Sequence, residues 1–212
     1  SFATDDLTIR NHIQMLEQAG LRPVGIDAVP CALFRSFSRS LRRQEDKGRT
    51  AVFVDVGSRF TTVVFGRQGE INFIKRIPIA GDNFTRQVAS KLGISFAEAE
   101  LLRNKLRSEN RAGSRGRAAT SDGAGQCDAG RNRLDASTRQ AMVDAISSVA
   151  EELAREISLC SRYYTVTFRG KRVERAVFSG GEAYEQVLLN VLRRQLAVEV
   201  EVAQPLRGFD LM

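Results

Sequence analysis

Three short apolar runs follow one another closely in the first half of the chain, at residues 51–57, 61–66 and 70–77. Only brief turns separate them, and strands joined in this way pair as an antiparallel β-meander. The first run is apolar at nearly every position and ends in the sequence Asp-x-Gly. The pattern therefore predicts three strands over these residues.

Most other apolar residues recur at helical spacing. Ser95 and Glu98 stand three residues apart at the start of one such segment, and this arrangement predicts a capping box. Further strands are predicted at residues 24–27, 173–178 and 198–202. The predicted helices cover residues 6–19, a segment that begins at Pro30, residues 84–92, a segment that begins at Ser95, residues 137–164 and residues 187–192. This mixture of strands and helices predicts an α/β fold.

One segment departs from these patterns. Residues 110–130 contain five glycines and almost no large apolar side chain, so the sequence predicts a flexible loop there. The net charge of the chain is +7, and residues 103–133 alone contain eight basic and three acidic residues. Such a basic segment could bind nucleic acid through counterion release. It has no aromatic residue on which a base could stack, and nucleic-acid binding is therefore not expected.

Two glycine-containing turns are candidates for phosphate chemistry. Asp55 and Gly57 end the first strand, where a glycine allows close approach of an anion and the carboxylate could face a divalent metal through water. Gly180 and Gly181 lie between a strand and a helix, which is a common place for an anion. Either pattern alone also occurs in ordinary turns. The chain has a single histidine, His12, and three widely spaced cysteines, so neither a histidine-based triad nor a zinc site is indicated.

The order of these motifs is more specific than any one of them. The runs VDVG at residues 54–57, FIKRIPIAGDNFT at 73–85, AEAE at 97–100 and FSGGEA at 178–183 resemble the second half of proteins of the FtsA/PilM family. The resemblance covers most of the chain outside residues 110–130. It implies an actin/Hsp70-like (ribonuclease H-like) nucleotide-binding half with an inserted helical subdomain.

The resemblance also implies the domain organisation. Residues 1–47 correspond to the end of the first actin-like domain and a linker, and residues 48–212 to the second domain. The core of that domain comprises residues 48–85 and 136–212, and the inserted subdomain comprises residues 86–135. The first phosphate motif of the family has no counterpart here, and neither does its final segment. We therefore expect a chain truncated at the N-terminus and at the C-terminus.

Two sets of site residues follow from the resemblance. The set expected near the nucleotide phosphates, with Asp55 holding Mg²⁺ through water, is Asp55, Gly57, Ser58, Thr61 and Gly81. The set expected near adenosine is Glu100, Arg103, Gly180, Gly181 and Glu182. The family usually has a lysine in place of Arg103, and arginine is not equivalent to it. No residue is expected to act as a catalytic general base.

The implied function is that of an ATP-binding scaffold, with ATP and Mg²⁺ as ligands and at most slow ATP hydrolysis. PilM-like proteins are cytoplasmic, lie at the inner membrane, and dock the N-terminal tail of PilN within the platform of a type IV pilus. The same role, in a pilus or a related secretion system, is expected here, with other platform proteins as further partners and without a membrane span. Two alternatives are a small-molecule kinase of the same fold and nucleic-acid binding through the arginine-rich segment.

Overall fold

The computed structural model of the chain describes residues 4–38, 50–67, 69–116, 134–168 and 172–203. Most of the predicted helices and strands are present. Their bounds are α1 Asp6–Gln18, α2 Val29–Ser38, β1 Thr50–Val56, β2 Thr61–Arg67, β3 Glu70–Ile77, α3 Gly81–Leu92, α4 Phe96–Gly116, α5 Ala136–Thr167, β4 Val173–Ser179, a 3₁₀ turn Gly181–Tyr184, α6 Gln186–Gln195 and β5 Glu199–Val202.

Five strands in the described residues form one mixed sheet in the order β3-β2-β1-β4-β5. The first three strands are antiparallel and form the predicted meander, whereas β4 and β5 run parallel to β1. Asp55 near the end of β1 pairs in register with Ser179 at the end of β4. The carboxyl ends of the three parallel strands therefore meet at one edge of the sheet, beside the turn that links β1 to β2.

The side chains of β1 divide the core into two layers. Val52, Val54 and Val56 face a large apolar cluster that α3, α4, α5 and α6 cover. Ala51 and Phe53 point to the opposite face, where α2 packs in a smaller cluster. Successive side chains of a strand alternate between faces, so a strand covered on both sides must be apolar throughout. The continuous apolar run at residues 51–57 has this cause.

Helix α2 lies close to the sheet because Gly66 has no side chain. The ring of Phe34 packs edge-on against Phe53, with the ring centres 5.6 Å apart. A Cβ atom on Gly66 would lie 2.0 Å from a ring carbon of Phe34. A glycine in a strand often marks such a close approach, and here it admits an aromatic ring onto β2.

The predicted capping box at the start of α4 is confirmed. The Glu98 amide donates to Ser95 Oγ at 3.3 Å, and the Ser95 amide donates to Glu98 Oε2 at 2.9 Å. The side-chain hydrogen bond from Ser95 lowers the pKa of Glu98 below its ordinary value, and the backbone hydrogen bond acts in the same direction. The two side chains thus satisfy backbone donors that a helix start leaves without partners.

Two sequence predictions are wrong in detail. Residues 24–27 form no strand, and Val24 is 99% exposed, because none of the described strands pairs with this segment. Helix α4 continues to Gly116, so the predicted loop does not begin at residue 110. Arginine, glutamate and alanine are good helix formers, and they extend α4 although Gly113 lowers its helix propensity. The rest of that predicted loop, from residue 117 onward, lies outside the described residues, as does the segment 39–49.

Candidate functional site

The carboxylate of Asp55 lies at the edge where the parallel strands end. Ser179 Oγ donates a hydrogen bond to Asp55 Oδ1 at 2.9 Å, and Asp55 is partly exposed. In open α/β sheets, ligands bind outside the carboxyl ends of the strands. Asp55 therefore lies at the kind of sheet edge where ligands bind, and the Ser179 hydroxyl orients its carboxylate. Its contact with a metal and phosphate stays a prediction.

The β1–β2 turn presents backbone donors beside Asp55. The Gly57 amide donates to Phe60 O at 3.2 Å, which closes the turn. The N–H groups of Ser58 and Arg59 have no acceptor among the described residues, and both residues are exposed. Successive backbone N–H groups in a turn form a concave site for an anion. The amides of Ser58 and Arg59 are therefore free to bind an anion, and the phosphate contact expected of Ser58 stays a prediction.

Two other residues of the phosphate set hold this turn in place. Thr61 is fully buried, and its hydroxyl donates to Ile79 O at 2.6 Å. The Gly81 amide donates to Gly57 O at 2.9 Å, and the Asp82 amide donates to Ser58 O at 2.7 Å. These donors are already used within the chain. We conclude that Thr61 and Gly81 hold the β1–β2 turn and the segment beside it in position. The Thr61 hydroxyl and the Gly81 amide are not free to bind a phosphate.

The glycine pair after β4 forms a tight turn over the end of β1. Gly180 has a φ of +93° and a ψ of 173°, which an L side chain rarely adopts. The chain continues from Gly181 into a four-residue 3₁₀ turn, and α6 begins only at Gln186. The glycine pair therefore lies between a strand and a helix, as predicted, but a 3₁₀ turn separates it from the N-terminus of α6. The backbone of Gly180 also lies very close to Val56.

Of the three charged residues expected near adenosine, Arg103 and Glu182 contact each other and Glu100 lies apart. Arg103 Nη2 contacts Glu182 Oε2 at 2.5 Å, and the same oxygen accepts from Arg107. Arg107 Nε donates to Glu185 Oε2 at 3.0 Å. Glu100 is exposed and forms no hydrogen bond or ion pair with a described residue. The structure therefore forms an Arg–Glu network from Arg103, Arg107, Glu182 and Glu185, and Glu100 is outside it.

The Arg–Glu network is anchored to α3. Arg103 Nη1 donates to Gly81 O at 3.1 Å and to Thr85 Oγ1 at 2.9 Å. Its guanidinium carbon lies 5.4 Å from the centre of the Phe84 ring, within the range of a cation–π contact. Arg103 thus joins three elements at once, namely α3, α4 and the turn after β4.

The surrounding carboxylates favour the charged form of Arg107. Burial opposes the charge of Arg107, but the Coulombic attraction of Glu182 and the hydrogen bonds to Glu185 and Glu182 outweigh it. The pKa of Arg107 is therefore raised above its ordinary value. A charged pair in the interior is tolerated when each charge has its partner.

The sequence candidates do not include Arg107, Glu185 or Ser179, although all three belong to this region. Arg103 and Arg107 are four residues apart, and Glu182 and Glu185 are three apart, so each pair shares one side of its helix or turn. This spacing could have indicated that each pair presents its charges on one side. It does not predict that the two pairs contact each other, because Arg107 lies 75 residues or more from Glu182 and Glu185 in the chain.

A metal ion at this edge would depend on the nucleotide. Among the described residues there is no group of three or more histidine, cysteine, aspartate or glutamate side chains that could hold a metal. Asp55 alone fits Mg²⁺ that keeps its waters and is bound mainly by phosphate oxygens. The donor set is therefore compatible with Mg²⁺ brought by a nucleotide, with Asp55 as an outer partner.

A cavity of about 400 Å³ lies elsewhere in the molecule. It is lined by Val173 and Val198 at the start of β4 and β5, and by Leu196 and the last turns of α5. These strand ends are opposite to the edge that carries Asp55 and Ser179. The cavity is mostly apolar and does not belong to the candidate site.

Sequence comparison identifies the family. A family model described as cell division protein FtsA matches residues 52–210 of the chain. The chain belongs to the FtsA family. The FtsA protein of Bacillus subtilis (strain 168) is 28% identical over 98 residues, which are 46% of this chain and 21% of that protein. The matched residues of the family model include every candidate site residue from Asp55 to Glu182.

Solved structures show the same fold at lower identity. A chain of the PilM-PilN type IV pilus biogenesis complex matches with a TM-score of 0.67 at 21% identity, over 93% of this chain and 48% of that one. EutJ from Carboxydothermus hydrogenoformans matches with a TM-score of 0.65 at 18% identity, over 94% of this chain and 57% of that one. MreB5 of Spiroplasma citri bound to AMPPNP matches with a TM-score of 0.56 at 13% identity, over 95% and 61%.

These matches confirm the actin-like ATPase fold and the FtsA/PilM resemblance predicted from the sequence. The chain spans about half of the length of the PilM chain that it matches and a fifth of the B. subtilis FtsA protein. No helix in the described ranges combines the length and the apolarity that a bilayer crossing requires.

Proposed function

We propose that the chain forms one wall of an adenine-nucleotide cleft in a scaffold protein of the FtsA family. The observation that carries this proposal is the meeting of two features at one sheet edge. The β1–β2 turn offers the unpaired amides of Ser58 and Arg59, and Asp55 lies beside them, oriented by Ser179. Backbone N–H groups that can bind an anion, next to a carboxylate, suit a triphosphate with bound Mg²⁺. A structural relative, MreB5 of Spiroplasma citri, was solved with AMPPNP.

The expected activity is nucleotide binding with slow hydrolysis at most. Phosphoryl transfer relies on donors and cations that hold the phosphates and stabilise the charge of the transition state. This chain supplies the residues of one wall and spans about half of the related PilM chain. Asp55 would hold Mg²⁺ through water, and the turn amides would bind phosphate oxygens.

The test is a calorimetric titration of the complete gene product with ATP, with and without Mg²⁺. Asp55→Asn keeps an oxygen for the Ser179 hydroxyl and removes the charge. Removal of an outer-shell partner costs about 10–100-fold in metal affinity, and we expect a loss of that size in Mg²⁺-dependent ATP binding. Asp144→Asn is the matched control, since Asp144 is exposed on α5 and, of the residues that the structure describes, bonds only to Gln140. No binding of ATP by the parent protein, or equal effects of the two variants, would refute the proposal.

We further propose a partner of the PilN kind and a place at the cytoplasmic side of the inner membrane. The support is the fold shared with a chain of the PilM-PilN complex. The expected role is in the platform of a type IV pilus or a related secretion system, with other platform proteins as neighbours. A labelled peptide of the N-terminal tail of the PilN-like protein should bind the complete gene product, and a scrambled peptide should not. Equal anisotropy changes for both peptides would argue against this partner and favour a cell-division role.

A further inference from the structure

The side chains of Arg103, Arg107 and Glu182 meet between α4 and the glycine turn, where the resemblance predicts adenosine. Glu182 follows directly on the glycine pair, and its Oε1 atom lies 2.7 Å from the position that a Cβ atom of Gly81 would occupy. Its other oxygen contacts Arg103 and Arg107 from α4. Glu182 therefore bridges from the Gly180–Gly181 turn across to α3 and α4. A base or ribose placed between α4 and this turn would overlap with it.

The Arg–Glu network is neutral and largely closed to solvent. The Arg103 side chain is 4% exposed and that of Glu185 is 1% exposed. Two cations meet two carboxylates there, so the closed arrangement carries no net charge. Because the charges are buried and paired, removal of one member leaves its partners without compensation. The network therefore ties α4 to the turn more firmly than a surface ion pair would.

The closed network is also incompletely satisfied. Arg103 Nε and Glu185 Oε1 are buried and have no hydrogen-bond partner within the described part of the chain. One is a donor and the other an acceptor, and each such orphan is unfavourable in the interior. An adenine offers the complementary pair, an exocyclic amino donor and a ring-nitrogen acceptor. A ligand of this class could satisfy groups that the closed network leaves unpaired.

We propose that Glu182 is a gate on the adenosine side of the cleft, held shut by Arg103 and Arg107. An adenine nucleotide competes with the Glu182 carboxylate for this space, and the network must open for the nucleoside to enter. This inference rests on the proposed nucleotide-binding function and adds its regulation. It reverses the usual expectation for a residue of a binding site, since removal of Glu182 should strengthen binding.

The experiment compares adenosine and ADP binding to the complete gene product and to Glu182→Ala, by calorimetry. Adenosine has no charge, so its affinity depends little on the electrostatic potential that the loss of a carboxylate changes. Its affinity therefore reports the opening of the gate. We expect adenosine to bind Glu182→Ala at least about tenfold more tightly than the parent, which corresponds to about 1.4 kcal/mol. ADP should gain more, because two arginines then lack their shared carboxylate. Glu182→Gln keeps the shape of the side chain and should raise the affinities for adenosine and ADP by a smaller factor. This variant replaces Glu182→Ala in the experiment if the alanine variant does not fold.

Glu201→Ala is the matched control, because it removes a carboxylate from an Arg–Glu pair at the β4–β5 edge. It should leave both affinities unchanged. If the parent binds ADP and the Glu182 variants bind equally well or more weakly, the gate is refuted and the proposed function stands. If neither the parent nor the variants bind ADP or adenosine, both the function and the gate are refuted. Binding by the variants alone would support both.

Discussion

Gly180 should be the least replaceable residue of the site. It combines a φ of +93° with a contact that leaves no room for a side chain. A Cβ atom there would lie 2.4 Å from Val56 O and less than 3 Å from two further backbone atoms of Val56. Backbone atoms of a central strand cannot move aside as a flexible side chain can. The change Gly180→Ala therefore forces either the turn or β1 to shift.

The magnitude follows from two contributions. A non-glycine residue in this backbone region costs about 1–3 kcal/mol. Overpacking of a close contact costs about 1–3 kcal/mol more. Together, Gly180→Ala should lower the free energy of unfolding by about 2–6 kcal/mol, a large share of the roughly 5–15 kcal/mol of a typical domain. Urea unfolding followed by far-UV circular dichroism measures this loss.

The neighbouring glycine provides the control. Gly181 has no positive φ, and nothing lies within 4 Å of its potential Cβ atom. Gly181→Ala should therefore change the free energy of unfolding by less than about 1 kcal/mol. If the two variants unfold at the same urea concentration, the turn does not have the conformation described here, and the close approach to Val56 is wrong.

Three further predictions concern the core and the helix ends. Gly66→Ala should destabilise the chain by about 1–3 kcal/mol, because the new methyl group meets the Phe34 ring. In a double-mutant cycle with Phe34→Ala, measured by urea unfolding, additive effects would contradict this contact. Asp135 caps α5 by accepting from the Thr138 amide at 3.0 Å, and hydrogen bonds from Ser137 and Thr138 lower the pKa of Asp135 to about 2 from an ordinary 3.8. Because the folded pKa is the lower one, the cap contributes fully above the unfolded value and is lost as the pH falls from about 5 to 2. Carboxyl chemical shifts that titrate near 3.8 in the folded protein would contradict it. Leu153→Ala removes a fully buried side chain of α5 and should cost about 2–5 kcal/mol by urea unfolding, and a loss below about 1 kcal/mol would contradict its place in the core.

The sequence predicts well those features that depend on local pattern. The apolar run at residues 51–57 predicts a buried strand because both of its faces are covered in the fold. The capping box at Ser95 and Glu98 is predicted because its hydrogen bonds join residues three apart. The turn after Asp55 is also a local motif, but its surroundings are not, because Ser179 and Gly81 contact it from distant parts of the chain.

Features that depend on distant pairing are not predictable in this way. Residues 24–27 have the composition of a strand, but a strand also needs a partner, and none of the described strands pairs with them. Arg107 and Glu185 become part of the site only because α4 and the turn after β4 meet across 78 residues of chain. The pattern of one segment contains no information about the charge that will face it. For this reason the sequence assigns Arg103 and Glu182 to a ligand, while in the structure they pair with each other.

Gly81 links the two halves of the candidate site, and its substitution tests that link. Its amide donates to Gly57 O in the β1–β2 turn at 2.9 Å. Its carbonyl accepts from Arg103 in the Arg–Glu network at 3.1 Å. The backbone of Gly81 itself tolerates alanine, because it has no positive φ. The nearest obstacle is Glu182, whose Oε1 atom would lie 2.7 Å from the new Cβ, and the carbonyl oxygen of Gly57 would lie 3.2 Å from it.

Gly81→Ala should therefore push Glu182 away from Arg103 and destabilise the parent by about 1–3 kcal/mol. The same change should cost less in a Glu182→Ala background, where only the 3.2 Å contact with the carbonyl oxygen of Gly57 remains. The difference between the two costs, measured by urea unfolding of the four proteins, is a coupling free energy that we expect to be about 0.5–3 kcal/mol. A coupling of zero would mean that Glu182 does not pack against α3. In that case the carboxylate would not close the space beside the glycine turn, and a nucleoside could enter without displacing it.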